Sequence, residues 1–181
     1  MAIIQDSQTG NTVKVDSENR LYTFAVCQSE DKRSNLEGLY NSIYFDVTPA
    51  GADDTFFYLK NTGLGDLAIT DIRISSSVAT NIFLDHVTGT PTYVTGTDAE
   101  ITNRNLGSSY APSVVAKYDT DITGLVNAGV LLFQECPTAD TMYHFKTSSN
   151  IIIPQGQAIG LRRVAATGLI TCLVSLSISE S

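Results

Sequence analysis

Apolar and polar residues alternate along most of this chain, in short stretches closed by turn residues. Ile43, Phe45 and Val47 alternate with Tyr44 and Asp46. Ile170, Cys172, Val174, Leu176 and Ile178 alternate with Thr171, Ser175 and Ser177. A period of two turns one face of a strand to a core and the other to solvent or a partner. No window keeps apolar residues at helical spacing over three turns. The pattern predicts strands near 42–48, 55–60, 67–74, 81–87, 113–118, 130–136, 142–146, 150–153, 157–164 and 168–178, with one helical turn at Leu36 to Tyr40. Gly63-Leu-Gly-Asp66, Pro49-Ala-Gly51, Thr88-Gly-Thr-Pro91 and Pro154-Gln-Gly156 break the strands. Residues 88–112 lack a clear pattern, and a loop that long is expected to be functional or packed on a partner. The expectation is an all-β fold: a jelly-roll-like, two-sheet antiparallel sandwich.

The first 28 residues read differently. Val13-Lys14-Val15 is a short extended run, Asp16 to Asn19 is turn chemistry, and Arg20 to Gln28 alternates again. Residues 1–20 are expected to form an extended N-terminal arm whose Ile3-Ile4 pair gains from docking on a neighbour, with 21–181 as one sandwich domain. Ser29 to Asn35 is a charged linker. A chain of 181 residues suits one domain, and no internal repeat is present.

Only 17% of the residues are charged, against 43% hydrophobic, and the net charge is −8. Thin charge suits a protein that covers part of its surface with copies of itself, although Ser and Thr on exposed strand faces account for it equally well. The acidic balance argues against a nucleic-acid partner, because Lys32-Arg33 and Arg162-Arg163 are the only adjacent basic pairs. Cys27, Cys136 and Cys172 give an odd count without metal-ligand spacing, and Cys172 falls on an apolar strand face as a core residue. No basic-then-apolar leader opens the chain. The alternating stretch from Leu169 to Ile178 is too short to cross a membrane as a helix, so no membrane partner is expected.

Candidate chemistry is sparse. His86 follows Asp85, and His144 stands far away in sequence; serines are common, but there is no Gly-x-Ser-x-Gly elbow. Asp53-Asp54 is weighed as a glycosidase pair and reads better as a solvated turn. Asp119, Asp121 and Thr123, with Gly124 behind them, match the opening of an EF-hand calcium loop. Position 12 of that loop is Val130, however, so an Asp-rich turn is the simpler reading. Phe56, Phe57 and Tyr58 are weighed as a sugar-stacking platform and read better as a strand buried on both sides. No enzyme activity, cofactor or resident metal is expected.

Four stretches resemble a family of small virion-associated proteins of tailed bacteriophages. Gly10-Asn-Thr-Val-Lys-Val-Asp-Ser-Glu-Asn-Arg20 is similar to its N-terminal G-N-x-x-K-V-(N/D)-x-x-N-R segment. Tyr58-Leu-Lys-Asn61 followed by Asp66-Leu67 resembles its YLKN…DL strand and turn. Asn103-Arg-Asn-Leu-Gly-Ser-Ser109 resembles NRN-x-GSS, and Ile153-Pro-Gln-Gly156 with Ile159-Gly160 resembles (L/I)P-x-G-x-x-(I/L)-G. The chain departs from the family in its charged Glu30-Asp-Lys-Arg33 linker and a shorter middle. The resemblance implies a capsid decoration, or cement, protein on the outer head surface of a virion assembled in the host cytoplasm. Its implied partners are the major capsid protein and itself, as a homotrimer. A tail or head-fibre component and a lectin-like carbohydrate-binding module are the alternatives. The expected assembly contacts are Ile3, Ile4, Val13 and Val15 in the arm, with Arg20, Asn103, Arg104 and Asn105 as hydrogen-bonding anchors. Asn103 to Asn105 read equally as the shape of an internal turn.

Overall fold

In the computed structural model the described residues are 3–5, 12–15, 21–22, 38–136, 138–145, 151–164 and 168–179. Among them every regular element is a strand, and no helix is long and apolar enough to cross a membrane. The N-terminal residues form a small antiparallel sheet of their own. In it β1 (Ile3–Gln5) and β3 (Leu21–Tyr22) flank β2 (Thr12–Val15), with Ile4 opposite Val13 and Lys14 opposite Tyr22. Within residues 1–20, expected as an arm, β1 and β2 pair antiparallel, and β2 pairs with β3 just beyond them.

The body is two six-stranded antiparallel sheets packed face to face. Their strands are β4 (Tyr40–Val47), β5 (Thr55–Asn61), β6 (Asp66–Ser76), β7 (Thr80–Tyr93), β8 (Thr97–Asp98), β9 (Glu100–Asn103), β10 (Val114–Tyr118), β11 (Ile122–Cys136), β12 (Tyr143–Phe145), β13 (Ile151–Ile153), β14 (Ala158–Arg163) and β15 (Ile170–Ser179). One sheet has the order β11-β7-β14-β5-β10-β8. The other runs β12-β6-β15-β4-β9, with β13 beside β12 along β6. The pairing is nested: β4 takes β15, β5 takes β14, β6 takes β12 and β13, and β7 takes β11. That is one long hairpin rolled up, with successive strands falling in opposite sheets, and it defines a jelly roll. The stretch between β7 and β11 adds β9 to the edge of one sheet and β10 with β8 to the edge of the other.

Alternation builds the core between the sheets. Ile43, Phe45 and Val47 from β4 meet Ile170, Cys172, Val174 and Leu176 from β15, and Phe56, Phe57 and Leu59 from β5. Phe45 stacks on Phe57 with ring centroids 4.5 Å apart. In β6 the inward series shifts phase from Leu67 and Ile69 to Ile72 and Ile74. A bulge at Thr70, whose hydroxyl donates to the Ser175 carbonyl at 3.3 Å, absorbs the extra residue. Tyr58 points the other way, into a second apolar cluster with Val87, Ile122 and Ala158. The far half of the β7–β11 hairpin folds over the outer face of its own sheet and closes that cluster with Tyr93 and Leu125.

Two expectations are corrected here. Residues 88–93 and 122–129, read as loop and turn, are the bent arms of this hairpin, and only 104–113 remain a long loop. The expected helical turn ends instead in a turn at Gly38 and the start of β4 at Tyr40; residues 36 and 37 lie outside the described residues.

Candidate functional site

The buried and paired charges of the body hold loops together. Arg162 on β14 donates from Nε to Asp85 Oδ2 at 2.8 Å and from Nη1 to Asp53 Oδ1 at 2.9 Å, with its guanidinium 4.7 Å from the Phe83 ring centre. Arg163 is fully buried and donates to the carbonyls of Gly51 (2.9 Å), Pro49 (3.3 Å) and Gly168 (3.4 Å). Burial lowers its pKa, and the nearby Asp54 pulls in the opposite direction. The adjacent basic pair is thus a clasp that ties the β4–β5 loop to the β14–β15 loop and to β7. Asp53 and Asp54 are divided in function: Asp53 meets Arg162, while Asp54 accepts from the Gly51 N–H.

Asp119 is the best-held carboxylate. Its Oδ2 accepts from the backbone N–H of Thr95 (2.8 Å) and Gly96 (2.9 Å); its Oδ1 accepts from Thr120 N (2.7 Å) and Thr95 Oγ1 (3.1 Å). Burial alone would raise its pKa; the N–H donors of Gly96, Thr95 and Thr120 outweigh burial and leave it below the usual carboxylate range. Asp121 moves the other way, raised first by burial and then by Asp54 and Asp119. Thr123 lies in β11 opposite Thr92. The calcium-loop residues therefore organise a turn, and no cluster of His, Cys, Asp and Glu suited to a metal occurs among the described residues. Nearby, burial pushes the Tyr93 hydroxyl up to about 12, helped by Tyr58, Asp98 and Asp119.

The histidines are separated. His86 Nε2 meets Gln157 Oε1 at 3.0 Å, while His144 Nε2 lies against Asp71, which also takes Arg73 Nε at 3.0 Å. Asp85 turns to Arg162 and away from its neighbour His86. Phe56, Phe57 and Tyr58 are all buried, which removes them as a stacking platform, and Cys172 is a core residue with its thiol pushed up by burial.

Asn103, Arg104 and Asn105 work inside the chain. Asn103 Nδ2 donates to the carbonyls of Gly38 (2.7 Å) and Tyr110 (2.9 Å), and its Oδ1 accepts from Asn105 N at 2.8 Å. Asn105 Oδ1 accepts from Gly107 N at 3.1 Å. Arg104 lies over the Tyr40 ring at 4.6 Å and donates to Ser42 Oγ (2.7 Å) and Ser175 Oγ (2.9 Å), pinning the loop to the outer face of β4 and β15. Of the arm residues, Ile3, Ile4, Val13 and Val15 lie in β1 and β2, and Arg20 falls outside the described residues.

With those side chains committed, the loop presents a different residue to solvent. Leu106 is 92% exposed at its tip, and Leu64 is 84% exposed at the tip of the β5–β6 loop. Both sit at one end of the sandwich. Thr62 N donates to Ser113 O (2.9 Å), Gly156 N to Asn61 O (2.8 Å) and Asn61 Nδ2 to the carbonyls of Gly65 and Ile153 (2.8 Å each), so loops 61–65, 104–113 and 154–157 form one surface. Beside it, between the sheet edges β11 and β13, runs an apolar groove of about 350 Å³ lined by Leu131, Ile151, Ile152, Ile153 and Pro154, with His86 and Gln157 as its polar pair. The stretches 61–65, 105–116, 122–134 and 151–161, which supply this end and groove, contain no charged residue. The opposite end gathers Asp53, Asp54, Asp119, Asp121 and Asp140 in loops joined by Ala50 N to Thr120 O (2.9 Å) and Asp140 N to Ser76 O (2.8 Å). Sequence reasoning missed Leu64 and Leu106; the uncharged runs around them were the available signal.

Fold and surface together define an all-β jelly-roll sandwich with an acidic end and an apolar-tipped end poorer in charge, where Asp66 is exposed and Arg104 is held by Ser42 and Ser175. In comparisons with known protein families, curated proteins and solved structures, the chain matches none.

Proposed function

We propose that this chain is a non-enzymatic virion structural protein, a capsid decoration protein that binds the outer face of a phage head and stabilises the shell. The observation that carries the reading is the polarised sandwich. Its buried Arg163 is spent on holding loops, while one rigid end is poor in charge, apart from Asp66 and Arg104, and exposes Leu64 and Leu106. Monomeric proteins seldom leave contiguous apolar patches larger than a few hundred Å² uncovered. Burying it against a shell contributes roughly 25 cal/mol per Å² before the costs of association. Repetition over a symmetric shell multiplies a modest contact. The resemblance in four ordered stretches supports the same reading and supplies the major capsid protein as partner.

The test uses heads of the encoding phage prepared without this protein. Added full-length chain is expected to co-sediment with them at saturable stoichiometry and to raise the temperature at which they release DNA. Absence of saturable binding would overturn the proposal.

A lectin-like reading keeps one supporting observation. Tyr44 is half exposed on the outer face of β4, in a row with Glu100, Leu173, Arg73 and His144, and donates to Asp46 at 2.7 Å. Glycan-array binding abolished by Tyr44→Ala would favour it.

A further inference from the structure

We infer that the open seam of the sandwich, between the edges of β11 and β13, is a strand-addition site. It takes one extended, uncharged segment of the partner that covers the leucine-tipped end. The inference rests on the head-binding reading above and names the chemistry of what the shell supplies.

The two seams of the sandwich are built differently. On one side the chain closes the seam itself. There β8 lies in one sheet and β9 in the other, with only the buried Ala99 between them, its N–H donating to Ala116 O at 3.0 Å. On the other side the crossing comes at the acidic end, through the loop around Asp140 that joins β11 to β12. Towards the leucine-tipped end this seam stays open as the groove of about 350 Å³. β11 pairs with β7 alone and β13 with β6 alone, so along each rim the outer N–H and C=O groups have no strand against them.

Those rims fix the kind of occupant. A flat protein surface would cover the isoleucines and leave backbone groups buried unpaired; an extended backbone pairs them in a row. The side chains match the same occupant. Ile151 and Ile153 stand two residues apart on the core side of β13, about 7 Å, the repeat of a strand's alternate residues. A bulge between Val130 and Leu132 re-aims Leu131, which lines the groove from β11. Natural edges are commonly guarded by Lys or Pro, and residues 122–134 hold neither. Asp66 neighbours the Leu67 that pairs with Ile153 but does not line the groove, whose walls hold no carboxylate, lysine or arginine.

Continuity decides the partner. The loop 154–157 belongs to the groove through Pro154 and Gln157, and to the leucine-tipped end through Gly156 N to Asn61 O. A surface seated on Leu64 and Leu106 therefore lies at the mouth of the groove, where an extended segment leaving that surface enters it.

Amide hydrogen exchange on the full chain, free and bound to heads prepared without it, tests this. Exchange in 129–133 and 151–153 is expected to slow by about tenfold or more on binding. The paired substitution Leu131→Lys with Ile152→Lys is expected to weaken head binding by about 100-fold. Both side chains stand half in solvent, so the far-ultraviolet circular dichroism of the variant should match the parent. A second arm uses peptides of about 12 residues tiled across the virion proteins of the phage, read by fluorescence anisotropy. The expected binder carries an uncharged run of alternating apolar residues and slows the same two segments. Heads bound with exchange unchanged there, or bound as tightly by the paired variant, would overturn the inference and leave head binding standing. Heads left unbound while a peptide slows both segments would sustain the site and remove the head-binding function. Binding to neither heads nor any peptide would overturn both. A dimer of the free chain that slows the same segments would give the seam to a second copy and also overturn the inference.

Discussion

Asp119 shows how a single carboxylate shapes the turn leading out of β10 and into β11. Three backbone N–H groups donate to it, so its charge is worth more folded than unfolded. Asp119→Asn is expected to cost about 1–3 kcal/mol at pH 7, because a carboxamide places a donor where an acceptor is needed. The folded pKa lies below the unfolded value, so the contribution is complete above about pH 4 and fades as pH falls through the folded value. Urea unfolding of parent and variant at pH 7 and pH 3 checks this: the gap between them should narrow in acid. A constant gap would mean the hydrogen bonds to the charge carry no pH-dependent stability. In the sequence this residue is weighed as a calcium ligand, since Asp-x-Asp-x-Thr-Gly supplies oxygens at the right positions, and reads better as part of an Asp-rich turn. Only the fold shows that backbone donors already occupy it.

At the scale of elements, the bent β7–β11 hairpin is the feature whose geometry is most constrained. Gly89 and Gly124 have φ of 97° and 75°, and a Cβ on either would stand 2.5 Å from a backbone carbonyl oxygen of the opposing strand. These are positions where two backbones approach closely in a left-handed conformation. Gly124→Ala is expected to destabilise the fold by roughly 1–3 kcal/mol and to increase hydrogen exchange in 88–93 before the rest of the body. Uniform exchange in parent and variant would contradict the role given to this bend. The strands at 42–48 and 168–178 were legible because strict alternation survives where one face is buried, and 55–60 was legible as an apolar run buried on both sides. Residues 88–93 were not, since Thr88-Gly-Thr-Pro91 reads as a breaker. Pro91 in fact falls at an irregularity in the register, where the ladder makes no demand for its missing N–H. In the same way Asn103-Arg-Asn105 was visible as a motif, but whether it faced a partner or its own sheet depended on where Ser42 and Ser175 come to lie.

For the whole molecule, the fold class followed from period and turn spacing. The arrangement of its ends did not, because strands far apart in sequence bring together the leucine-tipped loops at one end and most of the loop aspartates at the other. That polarity is what supports the assembly role proposed above: one end would be covered and the other would stay in solvent. The claim that the chain is a component of the outer head is tested most directly on intact particles, by gold-labelled antibody against residues of the acidic end, followed by electron microscopy. The expected image is regular labelling over the head surface, because the acidic end should point outward. Particles that carry the protein with labelling confined to the tail, or particles that lack it altogether, would contradict the account.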